Sequence, residues 1–377
     1  MRDENDLSAK KMEIQDYPLW GNFKFKRVPV SFTLEITARC NLNCRHCYIN
    51  LPAGDICAEK EELTVEEILN IGRQAVDMGA MWCLISGGEP LLRKDFADIF
   101  VGLKRLGLLV SVFTNGILIN EEHMELFRKY PPRDIEMTVY GVTDKSYEAV
   151  TRKKGSFKKF KRNLELLKEN GVRIRLKSMA LRSNMHEQDA IADFCRSYTK
   201  DFYRFDPQIH LRFDGNPVRN AEIRAERLTP EEVVALEEGD TERIDSLRKN
   251  CKKYISDESA DYAHEYLLNC GAGNGSFNVG YDGQFRLCSS LCAPGTTYDL
   301  RRGSLKEAWD VFVPEVRMIR AQLSDALDKC NKCSLVNLCM WCPAHAHLET
   351  GDLAGETSYY CEVAKKRAES ILKGEKN

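Results

Sequence analysis

Short apolar runs alternate with amphipathic stretches between residues 32 and 213. The apolar runs predict six strands, at Phe32–Thr37, Met81–Ser86, Leu108–Thr114, Asp134–Tyr140, Val172–Met179 and Phe202–Phe213. Helical periodicity between them predicts helices at Thr64–Met78, Asp95–Leu106, Asn120–Tyr130, Phe157–Asn170 and His186–Tyr198. Strands that alternate with helices are typical of an α/β fold with a parallel sheet. Six such units do not close an eight-unit barrel, so we expect a partial (β/α)6 TIM-type barrel with chemistry at the C-terminal strand ends.

Composition changes along the chain and predicts four parts. Residues 1–30 form an N-terminal segment, and residues 31–215 form the partial barrel. Residues 216–265 are charge-rich, with a helix start at Thr229-Pro230, and predict a helical bridge. Residues 266–377 hold more than half of the fifteen cysteines and form a small cysteine-rich domain. Such a domain depends on bound metal more than on apolar packing.

The charge balance and the start of the chain limit the possible partners and compartment. The net charge of −2 over 377 residues gives no overall attraction to nucleic acid or to an anionic membrane. The longest apolar run, residues 106–113, is far shorter than the roughly 18–20 residues of a membrane span. The first residues mix both charge signs, unlike a signal peptide. We therefore expect a cytoplasmic protein that binds neither nucleic acid nor membrane, in which clustered cysteines hold metal.

The first cysteine group follows the first predicted strand and reads Cys40-x3-Cys44-x2-Cys47. Three cysteines in one loop can bind three irons of a 4Fe-4S cluster, and no fourth cysteine lies within the next nine residues. The open iron could then chelate the amine and carboxylate of a ligand such as S-adenosylmethionine (SAM). The alternative is a Cys3His zinc site completed by His46.

A glycine-rich turn, residues 86–90 with the sequence Ser-Gly-Gly-Glu-Pro, follows the second predicted strand. Two glycines allow a close backbone approach, and Glu89 can accept a hydrogen bond from an ammonium group. Together with the cysteine loop, this turn resembles the radical SAM superfamily, whose members carry a CxxxCxxC loop and a GGEP-like turn after the first two strands. Thr114-Asn115-Gly116 resembles the TNG segment of peptide-modifying relatives. Thr138 and Arg152 stand where the family has a hydroxyl residue and an arginine that contact SAM.

The resemblance implies an enzyme that reductively cleaves SAM to methionine and a 5′-deoxyadenosyl radical. It implies a flavodoxin or ferredoxin-type electron donor. The implied metal ligands are Cys40, Cys44 and Cys47, and the implied SAM contacts are Ser86, Gly87, Gly88, Glu89, Thr114, Asn115, Thr138 and Arg152.

The C-terminal cysteines follow a specific spacing, with Cys270-x12-Gly-x4-Cys288 and then Cys330-x2-Cys333-x5-Cys339-x2-Cys342 before a lone Cys361. This pattern resembles the SPASM extension of radical SAM enzymes, which holds two auxiliary 4Fe-4S clusters. The resemblance implies that Cys270, Cys288 and Cys342 bind the first auxiliary cluster, with Cys292 as the nearest further ligand, and that Cys330, Cys333, Cys339 and Cys361 bind the second. A zinc ribbon is the alternative reading of the paired CxxC motifs.

Two weaker features bear on the substrate. Residues 152–162 carry seven basic residues and no acidic one, which fits a solvated helix face or a dock for an acidic leader peptide with Phe157 and Phe160 as anchors. Cys57, expected in a loop, is a candidate hydrogen-atom donor to a substrate radical. Cys83 lies in an apolar strand, where a cysteine usually acts as a small hydrophobic residue.

Relatives with the SPASM extension mostly act on peptides or proteins. The resemblance therefore implies a maturase of a ribosomally synthesised peptide that forms a crosslink or thioether or epimerises a residue. Only about thirty residues precede the first strand, so we expect direct binding of the precursor or a separate leader-recognition protein. The alternatives are a haem-pathway enzyme that modifies tetrapyrrole side chains, and an anaerobic sulfatase maturase. The second is disfavoured because Ser289 and Ser290 follow Cys288 where an Asp base is expected. The non-enzymatic alternatives are an iron–sulfur carrier and a zinc-binding module.

Overall fold

One mixed sheet of nine strands forms the centre of the protein. The structure is a computed structural model that describes residues 27–251, 266–268, 270–320, 333–335, 338–339 and 341–373. The strands, in chain order, are β1 Ser31–Thr37, β2 Arg39–Cys40, β3 Leu51–Pro52, β4 Trp82–Gly87, β5 Leu109–Phe113, β6 Ile135–Val139, β7 Ile174–Met179, β8 Arg204–Asp206, β9 Ser276–Val279, β10 Gln284–Arg286 and β11 Thr297–Asp299. The sheet order is β11-β10-β9-β1-β4-β5-β6-β7-β8, and β2 pairs with β3 separately.

Six parallel strands, β1 and β4 to β8, form the predicted partial barrel, so the predicted fold class is confirmed. The last strand is shorter than predicted: β8 covers only Arg204–Asp206, where the sequence predicted Phe202–Phe213. Pro207 follows directly and lacks the N–H that a further ladder bond requires.

Helices cover the outer face of the sheet. They are α1 Ile56–Glu61, α2 Val65–Asp77, α3 Phe96–Arg105, α4 Glu121–Lys129, α5 Asp144–Thr151, α6 Ser156–Glu169, α7 Gln188–Tyr198, α8 Pro217–Glu226, α9 Pro230–Gly239, α10 Thr241–Cys251, α11 Leu305–Glu307, α12 Val313–Arg317, α13 Pro343–Thr350 and α14 Ser358–Lys373. Short 3-10 turns at Pro90–Leu92 and Met185–Glu187 and a π-helical turn at Ala308–Phe312 complete the list. The predicted capping box of α2 is present: Glu67 accepts from the Thr64 N–H, and Thr64 accepts from the Glu67 N–H.

The two faces of the barrel strands differ in polarity. Val110 and Val112 of β5 point outward and are fully buried against the helices. Ser111, between them, points inward, because successive strand residues alternate between the two faces. The outward residues build one continuous apolar core, while the inward residues are available to bind a ligand.

The barrel and the cysteine-rich region share the same sheet. β9 pairs in parallel with β1, so Ser31 lies opposite Ser276 and Leu34 opposite Val279. β10 and β11 extend the sheet in antiparallel order. No helix in the described parts of the chain is long and apolar enough to cross a membrane.

Candidate active site

Cys40 is the last residue of β2, and Cys44 and Cys47 lie in the loop between β2 and β3. All three line one cavity of about 280 Å³ at the C-terminal ends of the barrel strands. We call it the upper cavity. Burial is the main cause that raises the pKa of the Cys40 thiol to about 12 and that of Cys44 well above its usual value. The charge of Cys47 contributes to both shifts and that of Cys40 to the second, and all three cysteines line the same cavity. Buried thiolates of this kind need a cation to compensate their charge.

Long-range hydrogen bonds fix the cysteine loop. The Arg212 guanidinium donates to the Cys47 carbonyl at 3.5 Å and to the Asn50 carbonyl at 3.1 Å. Arg219 donates to the Cys44 carbonyl at 2.8 Å. The Arg45 backbone N–H donates to the Val150 carbonyl at 3.1 Å. The contacts of Arg212 and Arg219 were not predicted from the sequence, because no local motif connects these residues to a loop more than 160 residues earlier.

The glycine turn after β4 approaches the start of this loop closely. The Gly88 N–H donates to the Thr37 carbonyl at 2.7 Å, and the Glu89 N–H donates to the Arg39 carbonyl at 2.9 Å. A Cβ on Gly87 would lie 2.2 Å from the Thr37 oxygen, and a Cβ on Gly88 would lie 2.4 Å from the Arg39 oxygen. Gly87 also has φ of +132°. Both positions therefore require glycine.

Glu89 lies beneath the upper cavity and organises its floor. Its carboxylate is fully buried and accepts from the Thr114 hydroxyl at 2.7 Å, the Asn115 N–H at 2.8 Å and the Leu91 N–H at 3.0 Å. Burial outweighs these donors and raises the pKa of Glu89 to about 7. The carboxylate thus joins the turns that follow β4 and β5, while its oxygens are already occupied by protein donors.

Six of the eight sequence-predicted contact residues line the upper cavity, and Glu89 and Arg152 do not. Ser86, Gly87, Gly88, Thr114, Asn115 and Thr138 line the upper cavity together with the three cysteines. The Asn115 amide donates to Asn41 Oδ1 at 2.8 Å and approaches Cys40 Sγ at 3.8 Å. Arg152 stands apart, at the C-terminal end of α5, where it pairs with Glu222 at 2.8 Å.

Charged residues on the inner barrel wall were missed by the sequence analysis. Lys177 of β7 and Glu136 of β6 line the upper cavity and pair at 2.6 Å. The Lys177 ammonium also lies 3.9 Å from the centre of the Phe113 ring. Burial is the main cause that lowers the pKa of Lys177. The alternating pattern of each strand would have placed these residues inside the barrel, but it gives no reason to expect that they pair.

Two histidines border the upper cavity. His46 is half-buried, and its ring lies 5.1 Å from the Tyr140 ring. Its Nδ1 is buried and has no hydrogen-bond partner among the described residues. His210 accepts from or donates to the Ser290 hydroxyl at 3.2 Å, and its ring lies 4.3 Å from the His345 ring. The backbone N–H of His345 donates to Cys342 Sγ at 3.4 Å. This contact series links the upper cavity to the cysteine-rich region.

Part of the C-terminal cysteine set is brought together. Burial is the first cause that raises the pKa of Cys342, and the charges of Cys288 and Cys270 contribute to the same shift. The charge of Cys288 likewise raises the pKa of Cys292, after burial. Cys342 therefore interacts electrostatically with Cys270 and Cys288, and Cys292 interacts with Cys288. Cys333, Cys339 and Cys361 are half-buried, and Cys330 lies outside the described residues.

The spacing of these thiols bears on the kind of metal group they fit. Four sulfurs around one zinc ion stand about 4 Å apart, since each Zn–S bond is about 2.3 Å. Within the described residues, no group of three or more Cys, His, Asp or Glu side chains is gathered closely enough to hold a single ion. A cluster of several irons accepts more widely spaced sulfurs.

Two expectations about weaker features are wrong. Cys57 lies in helix α1, not in a loop, because Asp55 caps that helix by accepting from the Ala58 N–H at 3.0 Å. Its side chain is exposed and does not line the upper cavity. Phe157 and Phe160 are buried in the core of the barrel and cannot anchor a leader peptide on the surface of α6.

Comparison with known proteins identifies the barrel. Residues 34–195 match the family model of the Radical SAM superfamily. This part of the chain is a radical SAM domain. It contains the cysteine loop and all the sequence-predicted SAM contacts.

Two curated relatives resemble the chain over most of its length. The antilisterial bacteriocin subtilosin biosynthesis protein AlbA of Bacillus subtilis is 25% identical over 70% of this chain. The PqqA peptide cyclase of Rhizobium meliloti is 25% identical over 74% of this chain. The matched region covers 55% of AlbA and 73% of the cyclase, so the chain spans about half the length of the first relative.

Solved structures share the fold. Streptococcus suis SuiB bound to the precursor peptide SuiA is 16% identical, with a TM-score of 0.68 over 96% of this chain and 84% of SuiB. The described residues thus share the fold of SuiB.

Proposed function

We propose that this chain is a radical SAM enzyme that modifies a ribosomally synthesised peptide. The observation that carries the proposal is the upper cavity, where Cys40, Cys44 and Cys47 meet the glycine turn, Asn115 and Thr138. The relatives named above include a bacteriocin biosynthesis protein and a peptide cyclase, which supports a peptide substrate.

The cysteine loop fits a 4Fe-4S cluster with one open iron. The three thiols line one cavity, and their burial disfavours free thiolates, which a cluster would compensate. When bound, the cluster and SAM would supply an electron and a 5′-deoxyadenosyl radical that abstracts a hydrogen atom. Arg212 and Arg219 hold the loop carbonyls, so they keep the three thiols directed toward the cavity.

The surrounding residues would bind SAM and exclude water. The backbone of Ser86, Gly87 and Gly88 lies against the cysteine loop with no space for side chains at the glycines, so it can approach a bound nucleoside closely. Glu89 fixes Thr114 and Asn115 at the cavity floor. Arg152 forms an ion pair with Glu222 and would have to break it before it could bind a SAM carboxylate.

Two auxiliary 4Fe-4S clusters are part of the proposal. The nearness of Cys270, Cys288 and Cys342 supports the first, with Cys292 as a further ligand. For the second, the proposal rests on the spacing of Cys330, Cys333, Cys339 and Cys361 in the sequence. We also propose a flavodoxin or ferredoxin-type electron donor and, for the precursor, either direct binding or a separate leader-recognition protein.

The test uses anaerobically reconstituted protein. Reduced with dithionite and given SAM, it should form 5′-deoxyadenosine, detected by mass spectrometry. Incubation with a candidate precursor peptide encoded near its gene should then give a SAM-dependent mass change in that peptide. The matched control is Cys195→Ala, since Cys195 is buried in α7 away from the cavity. A wild-type protein that binds iron but never cleaves SAM would contradict the proposal.

A further inference from the structure

A second cavity, of about 370 Å³, lies inside the barrel at the N-terminal ends of its strands. We call it the lower cavity. Its lining includes Thr33 of β1, Ser111 of β5 and Asn278 of β9. Phe113 and Glu136 line both cavities, so these two side chains lie at the junction between them.

The lower cavity is bordered by buried polar atoms that have no partner. Asn278 is 2% exposed, and neither its Oδ1 nor its Nδ2 has a hydrogen-bond partner among the described residues. Asp134 is also 2% exposed, and its Oδ2 lacks a hydrogen bond. The Nε of Arg133 lies 3.8 Å from that oxygen. Leaving such groups unpaired in the folded protein is unfavourable, so the site is built to be completed by a ligand or water.

The unpartnered groups indicate the chemistry of that ligand. A carboxamide offers one acceptor and two donors, which match the N–H and C=O of a peptide group. Arg133 and Arg175 at the border of the cavity remain 44% and 42% exposed, so a chain can enter from this side.

A largely buried lysine lies beside the junction of the two cavities. The Glu136 carboxylate contacts two cations, Lys177 at 2.6 Å and Arg175 at 3.6 Å, and Arg175 also contacts Asp201 at 3.7 Å. The Lys177 side chain is only 18% exposed and has three donors, of which Glu136 occupies one. Asp206 also lines the upper cavity, but it is exposed and therefore screened by solvent. The remaining donors of Lys177 thus suit a further carboxylate.

We propose that the two cavities form one substrate channel, in which Asn278 pairs with a peptide group and Lys177 binds an acidic side chain beside the SAM site. This inference rests on the proposed function and specifies its substrate class. The channel would place the reacting residue of an extended peptide between the lower cavity and the three cysteines.

Binding of defined peptide pools tests the channel without requiring catalysis. Three fluorescein-labelled pools of nine-residue peptides carry neutral random positions and a central Glu, Gln or Lys. Fluorescence anisotropy measures their dissociation constants for the reconstituted protein with SAM present. The Glu pool should bind at least about tenfold more tightly than the Gln pool, because a charge-assisted hydrogen bond is stronger than a neutral one. The Lys pool should bind most weakly.

Variants separate the two parts of the channel. Lys177→Met should abolish the preference for Glu over Gln, and Lys177→Arg should retain it. Asn278→Leu should weaken the binding of all three pools about fivefold without changing the preference for Glu over Gln. Lys168→Met is the matched control, since Lys168 lies over the Tyr198 ring at 4.8 Å but on the exposed face of α6. Iron content and circular dichroism report whether each variant is folded.

Several outcomes would overturn the channel. Equal binding of the Glu and Gln pools to the wild-type protein would contradict the role of Lys177. So would a Lys177→Met variant that binds SAM more weakly but keeps the Glu preference. Unchanged affinities in Asn278→Leu would contradict the role of Asn278. Formation of 5′-deoxyadenosine by the wild-type protein without peptide reports on the proposed function separately, so a failure of the channel is distinguishable from a failure of that function.

Discussion

The first cysteine loop and the C-terminal cysteines differ in how the protein holds them. In the loop, three carbonyl groups accept hydrogen bonds from Arg212 and Arg219, on a segment far along the chain. In the C-terminal region, Cys270 is exposed and its carbonyl accepts one bond, from Arg317 at 3.0 Å. The first site is therefore positioned by the polypeptide itself.

The second site brings together cysteines from distant segments. Cys288 follows β10, whereas Cys342 caps α13 and is reached only after 53 further residues of sequence. Since few backbone contacts hold these thiols in the described residues, we expect bound metal to contribute more to this region than to the first loop. The difference leads us to expect a site preformed by the polypeptide beside one that depends on bound metal.

Removing a ligand of the first loop should have the largest effect. Cys44→Ala should lower 5′-deoxyadenosine formation at least about 100-fold, because the cluster would lose one of only three protein ligands. Iron content should fall by about four per chain. Activity within tenfold of the wild type would contradict the assignment of the loop.

Removing a ligand of the second region should reduce iron with a smaller effect on SAM cleavage. Cys342→Ala should lose about four irons per chain, and its 5′-deoxyadenosine formation should fall much less than that of Cys44→Ala. Iron and sulfide assays measure the first effect. Cys292→Ala sharpens the comparison. A loss of iron equal to that of Cys342→Ala would identify Cys292 as a cluster ligand, and an unchanged iron content would show that Cys292 is not a ligand.

Weakening the protein contacts of the first loop tests whether the polypeptide positions it. Arg212→Met removes donors to the Cys47 and Asn50 carbonyls from a buried position, and the free energy of unfolding should fall by about 3 kcal/mol. Denaturant unfolding measures the change. The matched control is Arg302→Met, because the Arg302 side chain is 88% exposed and pairs with Asp299 alone among the described residues. A loss within 0.5 kcal/mol, about the size expected of the control, would contradict the role of Arg212.

The smallest expected effect concerns the contact series between the two regions. Burial, and then the charge of Arg227, lower the pKa of His210 to about 4, whereas an unfolded histidine titrates near 6.5. The unfolded state therefore binds protons below pH 6.5 that the folded state excludes, so stability is full above that pH and is lost as the pH falls toward 4. Between pH 7.5 and 5.5 the contribution of His210 is about 1 kcal/mol.

His210→Gln should remove that part of the pH dependence. Unfolding free energies of the wild type and the variant, measured at both pH values, give the difference directly. Identical pH dependences in the two proteins would mean that His210 is protonated as easily in the folded state as in the unfolded one.

Much of the fold follows from local sequence patterns. The alternation of Val110, Ser111 and Val112 predicts a strand with one apolar face, and the Thr64–Glu67 capping box marks the start of α2. Helices α1 and α5 were missed because six and eight residues are too few for a clear helical period. The apolar run that continues to Phe213 favours a longer strand. Pro207 nevertheless ends β8 at Asp206, because proline has no N–H for a further ladder bond.

The candidate site was predictable where its residues belong to a motif. The cysteine loop and the glycine turn are contiguous in sequence, and their residues meet in the upper cavity. Arg212, Lys177 and Asn278 belong to no motif, because their roles arise from pairing between strands and loops that are distant in sequence. Arg152 shows the limit of the resemblance, since its pair with Glu222 depends on a helix, α8, that the barrel motifs do not include.

The central claim is that the first cysteine loop leaves one iron open for SAM. Electron–nuclear double resonance on the dithionite-reduced protein, with SAM labelled by 15N in its amino group and 17O in its carboxylate, measures this coordination directly. The account predicts hyperfine couplings from both labels in the wild type and in Cys195→Ala, and their absence in Cys44→Ala. A reduced cluster signal in the wild type that shows no coupling to either label would contradict it.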